Sequence, residues 1–455
     1  QLGRAYELSS LYEQARDAYQ AMLDVARQAD LPAMAASALN RLATLAAQDS
    51  IAPQAAFQLL RESLRLAEQG GDKGVLAETE WSLAHANFHA WIPRVSFVHG
   101  QRALALAREL DQQDLIARSL NVLAVSTVLL GHWGESAAYA EEALALYAAL
   151  GNRAMEADTL SHLSIIHLNS GRPRAAIVAA QQMRAISQEI GNPWGCVISA
   201  FNLAATWRDM GAYGDALASA QDAVTAARGH DSPFLLTLSL SVLGTVHRAL
   251  LALEAARAAH LEALHVARHM VPRFTEQAAA ELCADYAIGG DWEAAYGYAR
   301  QALAARDYTF IPGAGFTRSY EVETLVRGGA DAEIGDDLRR FADQIGAGRR
   351  WRVSYLRSLA ALSHQHGNSE QEIEHLHAAA ALAKTVGLPG EQWLIEAALG
   401  EAYRAQDELQ QARSSFTRAA TILERLADAL DDSALRSAFL AAPQVRAVRA
   451  RIAGR

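Results

Sequence analysis

The chain has 455 residues, 51% of them hydrophobic and 20% charged, and its 51 Asp and Glu against 41 Lys and Arg give a formal net charge of −10. That acidic balance argues against direct nucleic-acid binding, which wants clustered positive charge, and no run approaches the ~18 uninterrupted apolar residues that a membrane span needs. The two cysteines, Cys196 and Cys283, are too few and too far apart for a disulfide framework or a thiolate metal site, which points to a reducing, cytoplasmic setting.

Apolar residues recur at helical spacing along almost the whole chain, and period-two alternation is nearly absent, so an all-α protein is expected. Near the N-terminus, Leu2-Gly3 with Tyr6, then Ala15, Tyr19 and Met22, outlines a helix hairpin. Further on, Leu83, Leu123, Leu163, Leu203 and Leu243 lie 40 residues apart, each followed by a small residue (Ala84, Ala124, Ser164, Ala204, Gly244). Ala103, Ala143, Met183, Ala223 and Ala263 keep the same interval. Small residues let two antiparallel helices approach, and the leucines fill the seam between them. Gly131, Gly171 and Gly211 fall where a first helix must end, and Gly151-Asn152 and Gly191-Asn192 close the second. Leu282-Cys283 with Tyr286, then Ala295, Ala299 and Ala302, carries the array to residue 305.

Residues 306–350 break the pattern. Pro312-Gly313-Ala314-Gly315, Gly328-Gly329, Gly335, Gly346 and Gly348 weaken helices, so a shortened hairpin or a hinge between two lobes is expected. Two further hairpins are expected over 351–430, where Leu399-Gly400 and Tyr403 precede Ala412, Phe416 and Ala419. Over 431–455, an N-cap at Asp431-Asp432-Ser433 and a start at Pro443 suggest a short helix pair that covers the last apolar face.

These residues resemble the tetratricopeptide repeat, whose pattern is Leu-Gly-x-x-Tyr on the first helix, then Ala-x-x-x-Phe and a further small residue on the second. The central copies keep the spacing but carry Thr127, His167, Trp207 and His247 in place of Tyr. The resemblance implies a right-handed superhelical solenoid of antiparallel helix hairpins. The 40-residue period is similar to that of the C-terminal sensor arrays of MalT-like, LuxR-type ATP-dependent regulators, and also to the LGN/Pins type of scaffold. Because Leu2-Gly3 starts in mid-helix and 433–443 is similar to the tails of such regulators, the chain is expected to be the C-terminal part of a longer protein.

No catalytic or phosphate-loop signature occurs, so a non-enzyme without cofactor or metal is expected. His85 with His89, and His265 with His269, lie one helical turn apart but find no third ligand locally. Arg349-Arg350-Trp351-Arg352 and the arginines of 446–455 are expected to be solvated. A solenoid binds through its concave groove, lined by the first helices. The groove candidates are Trp81, His85 and Phe88; Arg118, Asn121 and Val125; Asp158, Ser161 and Ile165; Phe201, Ala205 and Arg208; Ser241, Thr245 and Arg248. Arg208 and Arg248 share a phase in adjacent repeats and are expected to grip an anion.

Two functions fit these features. One is a ligand- or protein-sensing array within a larger signalling or transcriptional regulator, in contact with upstream domains of the same chain. The other is a free-standing adaptor that captures peptides. Either way the expected partner is a protein, a peptide or a small anion, with no membrane involved.

Overall fold

The computed structural model describes residues 2–3, 6, 12–48, 53–90, 92–304, 317–345 and 348–453. Among them every regular element is helical, and consecutive helices pair as antiparallel hairpins of the tetratricopeptide type. The chain divides into two compact units, 1–162 and 163–455. The first holds α1 (Tyr12–Gln28), α2 (Pro32–Gln48), α3 (Pro53–Gly70), α4 (Lys73–His89), α5 (Pro93–Glu109), α6 (Gln113–Leu129), α7 (Trp133–Ala149) and most of α8 (Arg153–Asn169). The second continues through α9 (Pro173–Glu189), α10 (Pro193–Met210), α11 (Tyr213–Arg228), α12 (Pro233–Ala249), α13 (Leu253–Met270), α14 (Thr275–Gly289) and α15 (Trp292–Ala304). Its remaining helices are α16 (Arg318–Arg327), α17 (Asp331–Ile345), α18 (Arg349–Gln365), α19 (Ser369–Val386), α20 (Pro389–Ala405), α21 (Leu409–Asp428), α22 (Ser433–Leu440) and α23 (Pro443–Ile452).

Helix starts repeat the sequence interval: Lys73, Gln113, Arg153, Pro193 and Pro233 open first helices at steps of 40, as Pro93, Trp133, Pro173, Tyr213 and Leu253 open second ones. The small-residue register lies at the centre of the hairpins, where Ala103, Ala143, Met183, Ala223 and Ala263 are fully buried. Leu123 is fully buried beside them. The turns follow a 20-residue pitch of left-handed residues, with φ +77° at Gly131, +67° at Gly151 and +75° at Gly171. Asp111 and Leu251 hold that conformation without being glycine, at φ 52° and 58°, where a Cβ costs about 1–2 kcal/mol.

A second rule couples positions 16 apart within a hairpin. A Cβ on Gly3 would stand 2.6 Å from the Tyr19 ring, one on Gly244 2.3 Å from the His260 ring, and one on Gly400 2.6 Å from the Phe416 ring. Where the first position carries a side chain, as in Ala124, Ser164 and Ala204, its partner is Ala140, Ala180 or Ala220. One member of each pair must be small because the helix axes are too close for two large side chains.

In the second unit the C-terminal hairpins fold back on the early ones. First helices α10, α12, α14, α16 and α18 touch in succession, Arg357 of α18 is ion-paired with Glu391 of α20, and α20 returns to α10. The turn at Gly211 abuts Leu426 and Pro389, 2.5 and 2.9 Å from a Cβ at that site. Tyr213 meets the Phe439 ring edge to face at 6.2 Å, and Gln444 Nε2 donates to Ile288 O at 3.0 Å. The inner wall of this unit is therefore a closed circuit.

Of the glycine-rich stretch, Pro312-Gly313-Ala314-Gly315 and Gly346 lie outside the described residues. The described part forms the short hairpin α16–α17. The expected solvated helix start at Arg349–Arg352 needs correction. Arg349 and Arg352 are exposed, but Arg350 is fully buried and Trp351 is 5% exposed, because both side chains plug into the wall formed by α8 and α10.

Candidate functional site

The expected groove residues lie on first helices of the hairpins, and each unit holds its own set. In the first unit, α4, α6 and the start of α8 run side by side. Arg118 lies over the Trp81 ring at 4.4 Å from its centroid, a favourable place for a guanidinium. Its two terminal nitrogens bind the Glu78 carboxylate at 3.0 and 2.7 Å, and its Nε binds Asp114 at 2.9 Å. Burial works against the cation, but Glu78 and Asp114 outweigh it and raise its pKa. His85 also stacks on the indole, at 5.1 Å between ring centroids. Burial, then the neighbouring His89, lowers the His85 pKa to about 4, so the ring is neutral at physiological pH.

Asn121 donates to Asp158 at 2.9 Å, while its oxygen faces His162 Nδ1 at 3.0 Å. Asn121 and Ser161 are buried, while Trp81, His85, Phe88, Arg118 and Asp158 remain partly exposed. The result is an amphipathic wall: an indole and a phenyl ring, a cation held in place by two acids, and a half-exposed carboxylate. The two histidine pairs form no larger donor set. His85 and His89 face each other through Nε2 at 3.1 Å, His269 Nδ1 lies 2.8 Å from the His265 carbonyl, and no group of three or more potential metal ligands occurs among the described residues.

In the second unit the expected residues are deeper. Ser241, Thr245, Phe201 and Ala205 are buried, as are Arg208 and Arg248, which are 6% and 8% exposed. The two arginines line one cavity, but they do not project freely to grip an anion. Arg208 holds Asp209 through Nε at 3.0 Å and Nη2 at 2.7 Å, and donates to Thr245 Oγ1 at 2.6 Å. Arg350 holds the other oxygen of Asp209 at 2.5 Å. Burial alone would raise the Asp209 pKa, but Arg350 and Arg208 together hold it below the usual carboxylate range. Arg248 is gripped by Glu281 at 2.5 Å and Asp285 at 3.0 Å, and Asp285 also meets His260 Nδ1 at 2.6 Å.

The cause is desolvation, since a buried guanidinium needs an internal counter-charge. Arg208, Asp209, Thr245, Arg248, Tyr320 and Glu391 line a cavity of about 70 Å³, room for a few waters. Each charged group on its wall already has an internal partner: Asp209 has Arg208 and Arg350, Arg248 has Glu281 and Asp285, and Glu391 has Arg357.

Sequence reasoning missed Asp209, Asn169, Glu281, Asp285, Arg350 and Trp351 as members of this wall. A signal was present. Positions 129, 169, 209 and 249 share a phase, and Leu129 and Ala249 are replaced there by Asn169 and Asp209. A polar residue at an apolar phase calls for a buried partner.

The fold and its inner walls thus define a helical repeat array of the tetratricopeptide type. No family model and no curated protein matches the chain. Among solved structures, a Rap protein complexed with competence and sporulation factor is similar at 12% identity, with a TM-score of 0.56 over 89% of this chain and 100% of that one. The apo form of RapI is similar at 12% identity, with a TM-score of 0.50 over 77% and 98%. A signal transduction ATPase with numerous domains and a tetratricopeptide repeat sensor, from Pyrococcus horikoshii, matches at 15% identity and a TM-score of 0.47. The match to this ATPase covers 81% of the present chain, which spans about half (54%) of the ATPase's length.

Proposed function

We propose that the chain is the sensing and interaction region of a larger signalling or transcriptional regulator, and that its first unit receives a protein or peptide partner on the wall formed by α4, α6 and α8. The observation that carries this reading is the partly exposed Trp81–Arg118–His85 stack. Trp and Arg dominate binding energy at protein interfaces when they are held rigidly, and here Glu78 and Asp114 fix the guanidinium in advance. A partner gains from such preorganisation because little side-chain freedom is lost on binding. A Rap protein of this fold has been crystallised with competence and sporulation factor, an example of what the fold accommodates. No step of catalysis is assigned to the chain.

The test is selection of a phage-displayed random dodecapeptide library against the intact chain. Enriched peptides are expected to lose at least about ten-fold in affinity for the Trp81→Ala Arg118→Ala variant, equivalent to about 1.4 kcal/mol. Failure to enrich any sequence, or equal affinity for both proteins, overturns the reading. The regulator context is checked on the gene, where a nucleotide-binding module encoded in frame upstream of Gln1 is expected.

A further inference from the structure

Two consecutive residues at the start of α18 reach across unit 2 to two consecutive repeats. Arg350 meets Asp209 of α10 at 2.5 Å, and the Trp351 indole N–H donates to Asn169 Oδ1 of α8 at 2.7 Å. Asn169 and Asp209 are 40 residues apart and occupy the same phase, so the pair reads two adjacent first helices in register. The separations along the chain are 141 and 182 residues, so neither contact arises from local hairpin geometry.

We propose that the C-terminal arm, α18–α23, is an autoinhibitory latch: it occupies the inner wall of its own unit in the place of a partner, and that wall becomes available only when Arg350 and Trp351 let go.

Three features support a latch rather than one more permanent seam. First, the arm engages the wall with an arginine and a tryptophan, the residue types that anchor protein partners, so it presents to the wall an internal copy of a binding epitope. Second, the contacts that Arg350 and Trp351 make are ones that water can replace: the closing seam includes a carboxylate–guanidinium pair, an indole–amide bond and the Gln444 contact to the Ile288 carbonyl. A buried ion pair adds little net stability over its hydrated parts, so opening this seam loses less than opening an apolar one of equal size. The apolar remainder includes Leu426 and Pro389 at Gly211, Val386 at Gly171 and Phe439 at Tyr213. Third, Asp209 keeps Arg208 as a partner when Arg350 leaves, so opening strands no carboxylate. The partner that fits the vacated wall presents an arginine followed by an aromatic side chain at the start of a helix. The proposal rests on the reading of the inner walls as binding faces only for what the latch excludes. The opening itself does not depend on that reading.

The experiment is hydrogen exchange followed by mass spectrometry on the intact chain with no partner added. If the arm opens as one piece, amides of α18–α23 and of α10 exchange together, ten-fold or more faster than those of α12–α14. The variant Arg350→Met Trp351→Phe, which keeps bulk while deleting the charge and the indole N–H, is expected to speed that shared exchange another ten-fold and leave α12–α14 unchanged. Protection of the arm and α10 equal to that of α12–α14 in the wild type overturns the latch. So does a variant that accelerates all segments alike. If the variant does not fold, the wild-type comparison decides alone. Loss of peptide capture by unit 1 would leave this exchange pattern untouched, so the two ideas fail separately.

Discussion

Replacing Gly400 by Ala tests the 16-residue pairing rule through a change of sign. The new Cβ would meet Phe416 Cζ, Cε1 and Cδ1 at 2.6, 2.7 and 2.8 Å, and the ring is only 3% exposed, with no free space to retreat into. Overpacking of this kind costs about 1–3 kcal/mol, and the rigidity of a ring against a helix backbone puts it near 3. Ala in a helix interior gains about 1 kcal/mol over Gly. The net expectation is a loss of about 2 kcal/mol. In a Phe416→Ala background, itself about 3–5 kcal/mol less stable, the clash is gone and only the helix gain remains. There Gly400→Ala should stabilise by about 1 kcal/mol, a coupling of roughly 3 kcal/mol between the two sites. Equilibrium denaturation of the four proteins measures this. Hydrogen exchange in α20 and α21 supplies the local value if unfolding proves multi-step. The same sign in both backgrounds refutes the pairing.

Arg248→Met should cost about 3–5 kcal/mol, because it removes the guanidinium that neutralises the buried Glu281 and Asp285 carboxylates; a loss below about 1 kcal/mol in denaturation would show that the guanidinium is not a structural group. His85 has its pKa lowered from 6.5 to about 4, so between those values the folded state binds fewer protons than the unfolded chain. Stability should therefore rise with pH across that window and fall as pH drops from about 6.5 towards 4, by at most about 3 kcal/mol, less for a partly exposed ring. Wild type should lose more over this range than His85→Gln, and parallel curves would refute the assignment. Burial, then the nearby Glu321 charge, pushes the Cys283 thiol well above its usual range. Iodoacetamide at pH 8 should therefore modify half-buried Cys196 in the native protein and spare Cys283, with mass spectrometry as the readout.

The hairpins were legible because periodicity is local. Leucines and small residues 40 apart can be satisfied only by repeated helix pairs, and the helix starts fall where that interval puts them. In unit 2, phase puts Arg208 and Arg248 at equivalent positions but does not say that both are buried against internal carboxylates. What closes the wall there is Arg350 on Asp209, and a contact across 141 residues leaves no periodic trace. Two clues were present nonetheless. Asp209 sits at a phase where Leu129 and Ala249 are apolar, and glycine recurs opposite Tyr19, His260 and Phe416 but not opposite Ala140 or Ala220. Reading pairs of positions rather than single columns would have found the second.

Closure also bears on how such a chain can lengthen. An open stack accepts a duplicated 40-residue hairpin anywhere, since each copy needs only its two neighbours. The circuit from α10 to α20 does not have that freedom. One extra hairpin between them would carry Arg350 and Trp351 away from Asp209 and Asn169, and the ends would no longer meet. Within 163–455 the number of hairpins is thus fixed by geometry, much as strand number is fixed in a closed barrel. Unit-length insertions and deletions among natural variants should accordingly be confined to 1–162.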